Sequence, residues 1–212
     1  MDAEIPTSAR ADNGSPFRAS VLRPGDGGPE ELVHPRAGHR LAVESWLLST
    51  LPEGSRGRAI EEWDRYKLAV LPLGTLFSAV RLPGPLVLAV SGEKTVSGEV
   101  DQFLSEALRG GPVICDPHGY RYYALVPASM PRTWHQAAEE WRARGVECLG
   151  RCVYLGVPRL DVEEPDAAAA SYWSVPLASP ATLCAPLTVA RLIAAGWHEL
   201  NKADAADAED GL

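Results

Sequence analysis

Apolar residues in positions 111–129, GPVICDPHGYRYYALVPAS, follow the two-residue period of β-strands on both sides of a short interruption. The interruption is Asp116-Pro117-His118-Gly119, in which proline presets the backbone and glycine supplies a positive φ, so the stretch predicts a β-hairpin. Alternate positions divide its apolar side chains into two sets: Val113, Cys115, Tyr123 and Leu125 on one face, and Ile114, Tyr122, Ala124 and Val126 on the other. Because both faces are apolar, we expect the hairpin to lie centrally in its sheet and to be covered on both sides.

The remaining apolar patterns predict helices and strands that are interleaved along the chain. Apolar residues at helical spacing predict helices over residues 39–51, 58–66, 97–109, 131–144 and 187–197. Alternating or uniformly apolar runs predict strands over residues 67–73, 76–82 and 172–175 and a strand or strand pair over residues 147–157. The run 86–90 fits a strand or a helix equally well. The predicted class is α+β, with a mixed, largely antiparallel sheet around the central hairpin and helices packed against it.

Composition divides the chain into three segments. Residues 1–36 are rich in Pro, Gly, Ser and Asp and lack apolar periodicity, so they bury too little surface to offset the entropy of ordering. We expect a disordered arm there, a single α+β domain over residues 37–199, and a frayed acidic tail over residues 200–212. Within the domain, the acidic and alanine-rich run 161–171 is predicted to be a surface loop.

The charge balance restricts the kinds of partner. The 212-residue chain has a formal net charge of −8, which argues against a broad nucleic-acid-binding face, since phosphate contacts need clustered Lys and Arg. More than half of the acidic excess lies in residues 1–36 and 200–212, so a local site for a small anion stays open in the domain.

Other features predict a cytoplasmic protein without a membrane partner. No apolar run approaches the roughly 20 residues of a membrane span, and the N-terminus lacks the apolar core of a secretory signal. Cys148 and Cys152 have C-x₃-C spacing rather than the C-x₂-C of zinc sites, and no second pair completes a tetrahedral set. We therefore expect the four cysteines to be buried free thiols.

The candidate chemistry lies at the hairpin tip. Asp116 and His118 flank Pro117, so both side chains can project the same way as an acid/base pair or as metal ligands; alternatively, Asp116 only caps the turn. An exposed Tyr120 beside Arg121 can stack a base and hold a phosphate, although aromatic residues on central strands more often fill the core. The predicted ligand-binding residues are therefore Asp116, His118, Tyr120 and Arg121.

Four blocks of the sequence resemble a known group of proteins. The blocks are FSAVRLP (77–83), GPVICDPHGYRYYALVP (111–127), CLGRCVYLGVPRLD (148–161) and YWSVPL (172–177), within a resemblance that covers residues 40–198. They are similar to the small, divergent proteins of high-GC bacteria that resemble the N-terminal Prim-Pol domain of bifunctional DNA primase/polymerases. The resemblance implies an α+β fold and template-directed nucleotide addition in DNA replication. It also implies two divalent cations, a D-x-D or D-x-E pair on a strand, a strand-borne Ser-x-His and a third Asp.

The sequence departs from that pattern at the catalytic positions. The early strands LAVLPL and FSAVRLP contain no acidic pair, and Asp116-Pro117-His118 keeps only the histidine of Ser-x-His. Two-metal chemistry needs carboxylates that fix the ions. The favoured hypothesis is thus a non-catalytic Prim-Pol-like domain without a cofactor, an accessory or regulatory protein that associates with a nucleotide or nucleic acid.

Two other interpretations stay open. One is an active primase/polymerase that binds Mg²⁺ or Mn²⁺ through carboxylates such as Asp64, Asp101 and Asp116. The other is a protein-interaction module without a ligand site, in which the N-terminal arm and the acidic tail bind a partner protein.

Overall fold

The computed structural model describes residues 35–165 and 169–210. The helices in this part of the chain are α1 (Pro35–Leu48), α2 (Glu53–Tyr66), α3 (Gly84–Ser91), α4 (Gly98–Ala107), α5 (Met130–Thr133), α6 (His135–Arg142) and α7 (Pro186–Asp210). The strands are β1 (Leu68–Pro72), β2 (Phe77–Pro83), β3 (Val113–Asp116), β4 (Arg121–Pro127), β5 (Glu147–Leu149), β6 (Tyr154–Pro158) and β7 (Tyr172–Val175). The predicted arm, residues 1–36, lies outside the described residues except for its last two, which begin α1.

The described strands form two antiparallel sheets. Five strands pair in the order β5-β2-β4-β3-β7, and β1 pairs with β6 in a separate two-stranded sheet. The hairpin of β3 and β4 is central, with β4 as the middle strand. The α+β class is thereby confirmed, and each pairing between described strands is antiparallel. The run 147–157 contributes two strands, β5 and β6, that belong to different sheets.

Strands β2 to β5 form a split β-α-β unit. Along the chain, β2 is followed by α3 and α4, then by β3 and β4, then by α5 and α6, and finally by β5. In the sheet, β4 lies between β2 and β3, so the two strands joined by the first helical connection are not neighbours. This is the β-α-β-β-α-β arrangement of ferredoxin-like folds. Strand β7 extends the unit beside β3.

The five-stranded sheet is covered on both faces, as its apolar pattern predicts. On one face, helices α3, α4, α6 and α7 pack on a core that includes Val80, Tyr122 and Val126. On the other face, α1, α2 and the β1–β6 sheet pack on a core that includes Phe77 and Ile114. Each core therefore uses one set of alternate residues from the central strands.

The register of the hairpin differs from the predicted division of its faces. Asp116 pairs with Arg121, and Cys115 pairs with Tyr122, so the turn contains four residues, 117–120. Directly paired residues of an antiparallel ladder lie on the same face. Tyr122 thus shares a face with Cys115, and Tyr123 lies on the opposite one. The prediction was wrong because alternation within each strand does not record how many residues the turn removes from the ladder.

Three helices have boundaries that the sequence pattern left open or placed differently. The ambiguous run 86–90 is part of helix α3, which has proline in its first turn and ends at Gly92 with a φ of 77°. The predicted helix 131–144 is divided at Trp134 into α5 and α6. Helix α7 continues to Asp210, so residues 200–210 of the predicted frayed tail are helical.

The described cysteines are free thiols. Cys115 and Cys184 are buried as predicted, whereas Cys148 is half-buried and Cys152 is exposed. Cys152 is accessible because it lies in the turn between β5 and β6, where its φ is 65°. No helix in residues 35–165 and 169–210 has the length and apolar character needed to cross a membrane.

Candidate ligand-binding site

The hairpin turn is held by local hydrogen bonds. Asp116 Oδ1 accepts a hydrogen bond from the backbone N–H of Gly119 at 2.7 Å. Tyr120 has a φ of 52°, and its carbonyl accepts a hydrogen bond from the N–H of Gly84 at 2.7 Å. Asp116 therefore caps the turn through one oxygen, while its Oδ2 has no hydrogen-bond donor in the part of the chain that the structure describes.

A pocket of about 210 Å³ lies beside this turn, where the five-stranded sheet faces the two-stranded sheet. It combines apolar walls with polar side chains on one side. The lining residues are Leu68, Ile114, Asp116, His118, Tyr123, Leu155, Gly156, Ala170 and Ser171. We call this cavity the hairpin pocket.

The structure brings together two of the four predicted site residues. Asp116 and His118 line the hairpin pocket. The ring of Tyr120 lies instead against the start of α3, since a Cβ atom added at Gly84 would be 2.8 Å from its Cδ1 atom. Arg121 is exposed and is the cross-strand partner of Asp116. The aromatic residue of the pocket is Tyr123, which the sequence pattern assigned to the other face.

Ser171 is a pocket residue that the sequence did not indicate. The run 161–171 predicted a surface loop, yet Ser171 is only 7% exposed. Its Oγ is fully buried and has no hydrogen-bond partner among residues 35–165 and 169–210. Leaving a buried hydroxyl unpaired costs about 1–3 kcal/mol, so Ser171 is a residue of the pocket wall whose hydrogen-bonding capacity the described residues leave unused. No local signal distinguishes Ser171, because its burial depends on the distant pairing of β7 with β3.

Another polar cluster lies on the opposite face of the sheet, between α4 and β7. The carboxylate of Asp101 accepts hydrogen bonds from Tyr172 Oη at 3.2 Å and from Ser174 Oγ. Burial raises the pKa of Asp101, and these two hydrogen bonds partly counteract the increase. Burial also raises the pKa of the nearby Cys115 thiol to about 12, so this cysteine is not a thiolate nucleophile at neutral pH. The cluster attaches α4 to the edge strand.

The raised pKa of Asp101 predicts a specific pH dependence of stability. Above the ordinary value of 3.8, the folded protein keeps a proton on Asp101 that the unfolded chain has lost. The free energy of unfolding contributed by this group therefore falls as the pH rises from 3.8 towards the folded pKa. We expect Asp101→Asn, which keeps an oxygen that accepts from Ser174, to remove this slope in urea denaturation followed by circular dichroism.

Asp161→Asn is the control of opposite sign. Hydrogen bonding to Arg159 lowers the pKa of Asp161, so its stabilising contribution is lost as the pH falls below 3.8. An unchanged pH slope in Asp101→Asn, with the expected change in Asp161→Asn, would contradict the assignment to Asp101.

The carboxylates considered for two-metal catalysis do not meet at one site. Asp64 lies on α2 and pairs with Arg159 at 3.3 Å. Asp101 bonds Tyr172 on the face covered by α4, whereas Asp116 lines the hairpin pocket on the other face. In the described ranges 35–165 and 169–210, no three His, Cys, Asp or Glu side chains are grouped as metal ligands.

Comparisons with known proteins identify no relative of this chain. The chain matches no protein-family model, and no curated protein or solved structure is significantly similar to it. The resemblance to Prim-Pol domains therefore stays a hypothesis that the strand blocks alone carry.

Proposed function

We propose that this protein is a non-catalytic, nucleotide-associated domain of the Prim-Pol type, and that the hairpin pocket receives the nucleobase. The observation that carries the proposal is the buried, unpartnered Oγ of Ser171 in a pocket that also contains Asp116 and His118. These groups offer a donor and acceptors to the hydrogen-bonding edge of a base. Tyr123 and the apolar wall residues supply contact for its ring faces.

The size of the hairpin pocket selects a ring rather than a complete nucleotide. Pockets for drug-sized ligands occupy about 300–1,000 Å³, whereas the hairpin pocket has about 210 Å³. The sugar and phosphates of a bound nucleotide would therefore lie outside it. Arg121, exposed and opposite Asp116 in the hairpin, would bind a phosphate there.

The covering of the sheet favours a nucleotide over an extended nucleic-acid strand. Four-stranded sheets that bind RNA stack bases on aromatic residues of an open face. In this protein one face carries α3, α4, α6 and α7, and the other carries α1, α2 and the β1–β6 sheet. The net charge of −8 also opposes contact with many phosphates.

Calorimetric titration with the four common ribonucleosides and their triphosphates, with and without Mg²⁺ or Mn²⁺, tests the proposal. We expect at least one nucleoside to bind, its triphosphate to bind more tightly through Arg121, and the metal to have no effect on the nucleoside. Arg121→Ala should abolish only the advantage of the triphosphate. Absence of binding to each compound at millimolar concentration would refute the proposal, and binding that requires the metal would favour the polymerase alternative.

Ser171→Ala should affect stability and binding in opposite directions. Removal of an unpaired buried hydroxyl is expected to raise the free energy of unfolding by about 1 kcal/mol, and loss of its hydrogen bond to the ligand should weaken nucleoside binding about tenfold. Thermal denaturation and the same calorimetric titration measure the two effects.

The matched control is Ser91→Ala. The Ser91 hydroxyl donates to the carbonyl of Leu88 at 3.0 Å within its own helix, away from the hairpin pocket. This variant should leave nucleoside affinity unchanged. If the Ser171→Ala variant is less stable than the unmodified protein and binds nucleosides as tightly, the Ser171 hydroxyl forms a structural hydrogen bond within the protein and does not contact the ligand.

A further inference from the structure

A second cavity, larger than the hairpin pocket, lies between α1 and α2. It has a volume of about 610 Å³, within the range of small-molecule sites. Its floor is apolar, with Leu48 and Trp63 buried and Leu41 and Ile60 exposed by 63% and 45%. We call this cavity the α1–α2 groove. It shares no lining residue with the hairpin pocket.

The charged residues at the rim of the groove are paired, with one exception. Arg40 forms ion pairs with Glu44 at 3.0 Å and with Asp161 at 3.5 Å. Arg159 forms ion pairs with Asp64 and with the same Asp161. These pairs neutralise one another at the side of the groove.

Arg56 is the exception. Its Nε donates to the carbonyl of Leu51 at 3.3 Å, and no carboxylate within the described ranges lies within 4.0 Å of its guanidinium. It is the fourth residue of α2, where the positive end of the helix dipole also favours an anion, and Glu53 in the same turn forms no ion pair with it within 4.0 Å. The groove therefore combines an extended apolar floor with a single uncompensated cation at one end.

We propose that the α1–α2 groove binds a small amphipathic monoanion, a molecule with an apolar chain or ring and one carboxylate. The apolar part would cover Leu41, Ile60 and Trp63, and the carboxylate would pair with Arg56. A single negative charge matches the single unpaired arginine, and a second one would meet Glu44 or Asp64 on the rim. A neutral analogue loses the charge-assisted hydrogen bonds to the guanidinium.

Titration of the full-length protein with octanoate and with octanol, followed by calorimetry, tests this inference. We expect octanoate to bind more tightly than octanol by about tenfold, since hydrogen bonds to charged groups contribute more than neutral ones. Arg56→Ala should remove that difference and leave octanol binding unchanged. Ile60→Ser should weaken both ligands, because it removes apolar contact from the floor.

Arg58→Ala is the matched control on the same helix. The Arg58 side chain is 83% exposed, pairs with Glu62 and does not line the groove, so its removal should leave octanoate binding unchanged. Absence of octanoate binding, or equal binding to Arg56→Ala, overturns the proposal. A dimer in sedimentation velocity that octanoate fails to dissociate, with Ile60→Ser monomeric, would overturn it in favour of a second copy in the groove.

Discussion

Trp173→Ala is expected to lower the free energy of unfolding by about 3–5 kcal/mol, the usual cost of removing a buried tryptophan. Trp173 is 1% exposed and packs in the core between the two sheets. Its Nε1–H donates to the carbonyl of Pro158 at 3.0 Å, which links β7 of one sheet to the end of β6 in the other. Since domains of this size are stabilised by about 5–15 kcal/mol, the loss should be visible directly in guanidinium denaturation followed by circular dichroism.

Two further variants separate the contributions of Trp173. Trp173→Phe keeps an aromatic ring and removes the hydrogen bond to Pro158, so we expect a smaller loss of about 1–3 kcal/mol from the buried carbonyl and the reduced volume. Tyr154→Ala removes an exposed aromatic residue from β6, the strand that ends at Pro158. It should change stability by no more than about 0.5 kcal/mol. A loss below 1 kcal/mol in Trp173→Ala would mean that the two sheets are not joined through this residue.

Gly196→Ala is expected to destabilise the protein by about 1–3 kcal/mol, although glycine-to-alanine changes inside helices normally stabilise. Gly196 lies in α7, and an added Cβ atom would be 2.7 Å from Leu86 Cδ2 and 2.9 Å from the Leu86 carbonyl oxygen of α3. The backbone oxygen cannot move without shifting α3, so the steric cost exceeds the gain in helix propensity. Thermal unfolding followed by circular dichroism measures the change as a Tm lowered by about 2–12 °C.

Gly57→Ala is the matched control, in which the added methyl group has no steric cost. Gly57 lies inside α2, and a Cβ atom added there would meet no atom within 4 Å apart from its chain neighbours and the backbone of its own helix. Its replacement should therefore raise the free energy of unfolding by about 0.5–1 kcal/mol. Stabilisation by both substitutions would show that α3 and α7 are less closely packed than the distances at Gly196 indicate.

The two ligand proposals can be tested independently in one protein preparation. The hairpin pocket uses residues of β1, β3, β4, β6, the hairpin turn and the segment before β7, whereas the α1–α2 groove uses residues of α1 and α2 together with Arg159. Variants more than about 7–10 Å apart without shared partners have additive effects. We therefore expect Arg56→Ala to leave nucleoside binding unchanged and Ser171→Ala to leave octanoate binding unchanged.

The sequence predicted where the candidate site lies better than it predicted which residues line it. Asp116 and His118 were found because Asp-Pro-His-Gly is a turn signal that places polar groups at the end of two apolar runs. Tyr123 was assigned to the wrong face, because alternation does not specify the length of the turn. Ser171 was missed, since a serine at the end of an acidic, alanine-rich run has no local feature that predicts burial.

By itself, the sequence determined the α+β class, most of the helices and strands, and the central hairpin. These features depend on local interactions: the periods of apolar residues and the conformations of proline and glycine. Only the tertiary structure decided the hairpin register, the division of residues 147–157 between two sheets, the burial of Ser171 and the groove between α1 and α2. Each of these depends on contacts between residues far apart in the chain, whose free energies no local pattern contains.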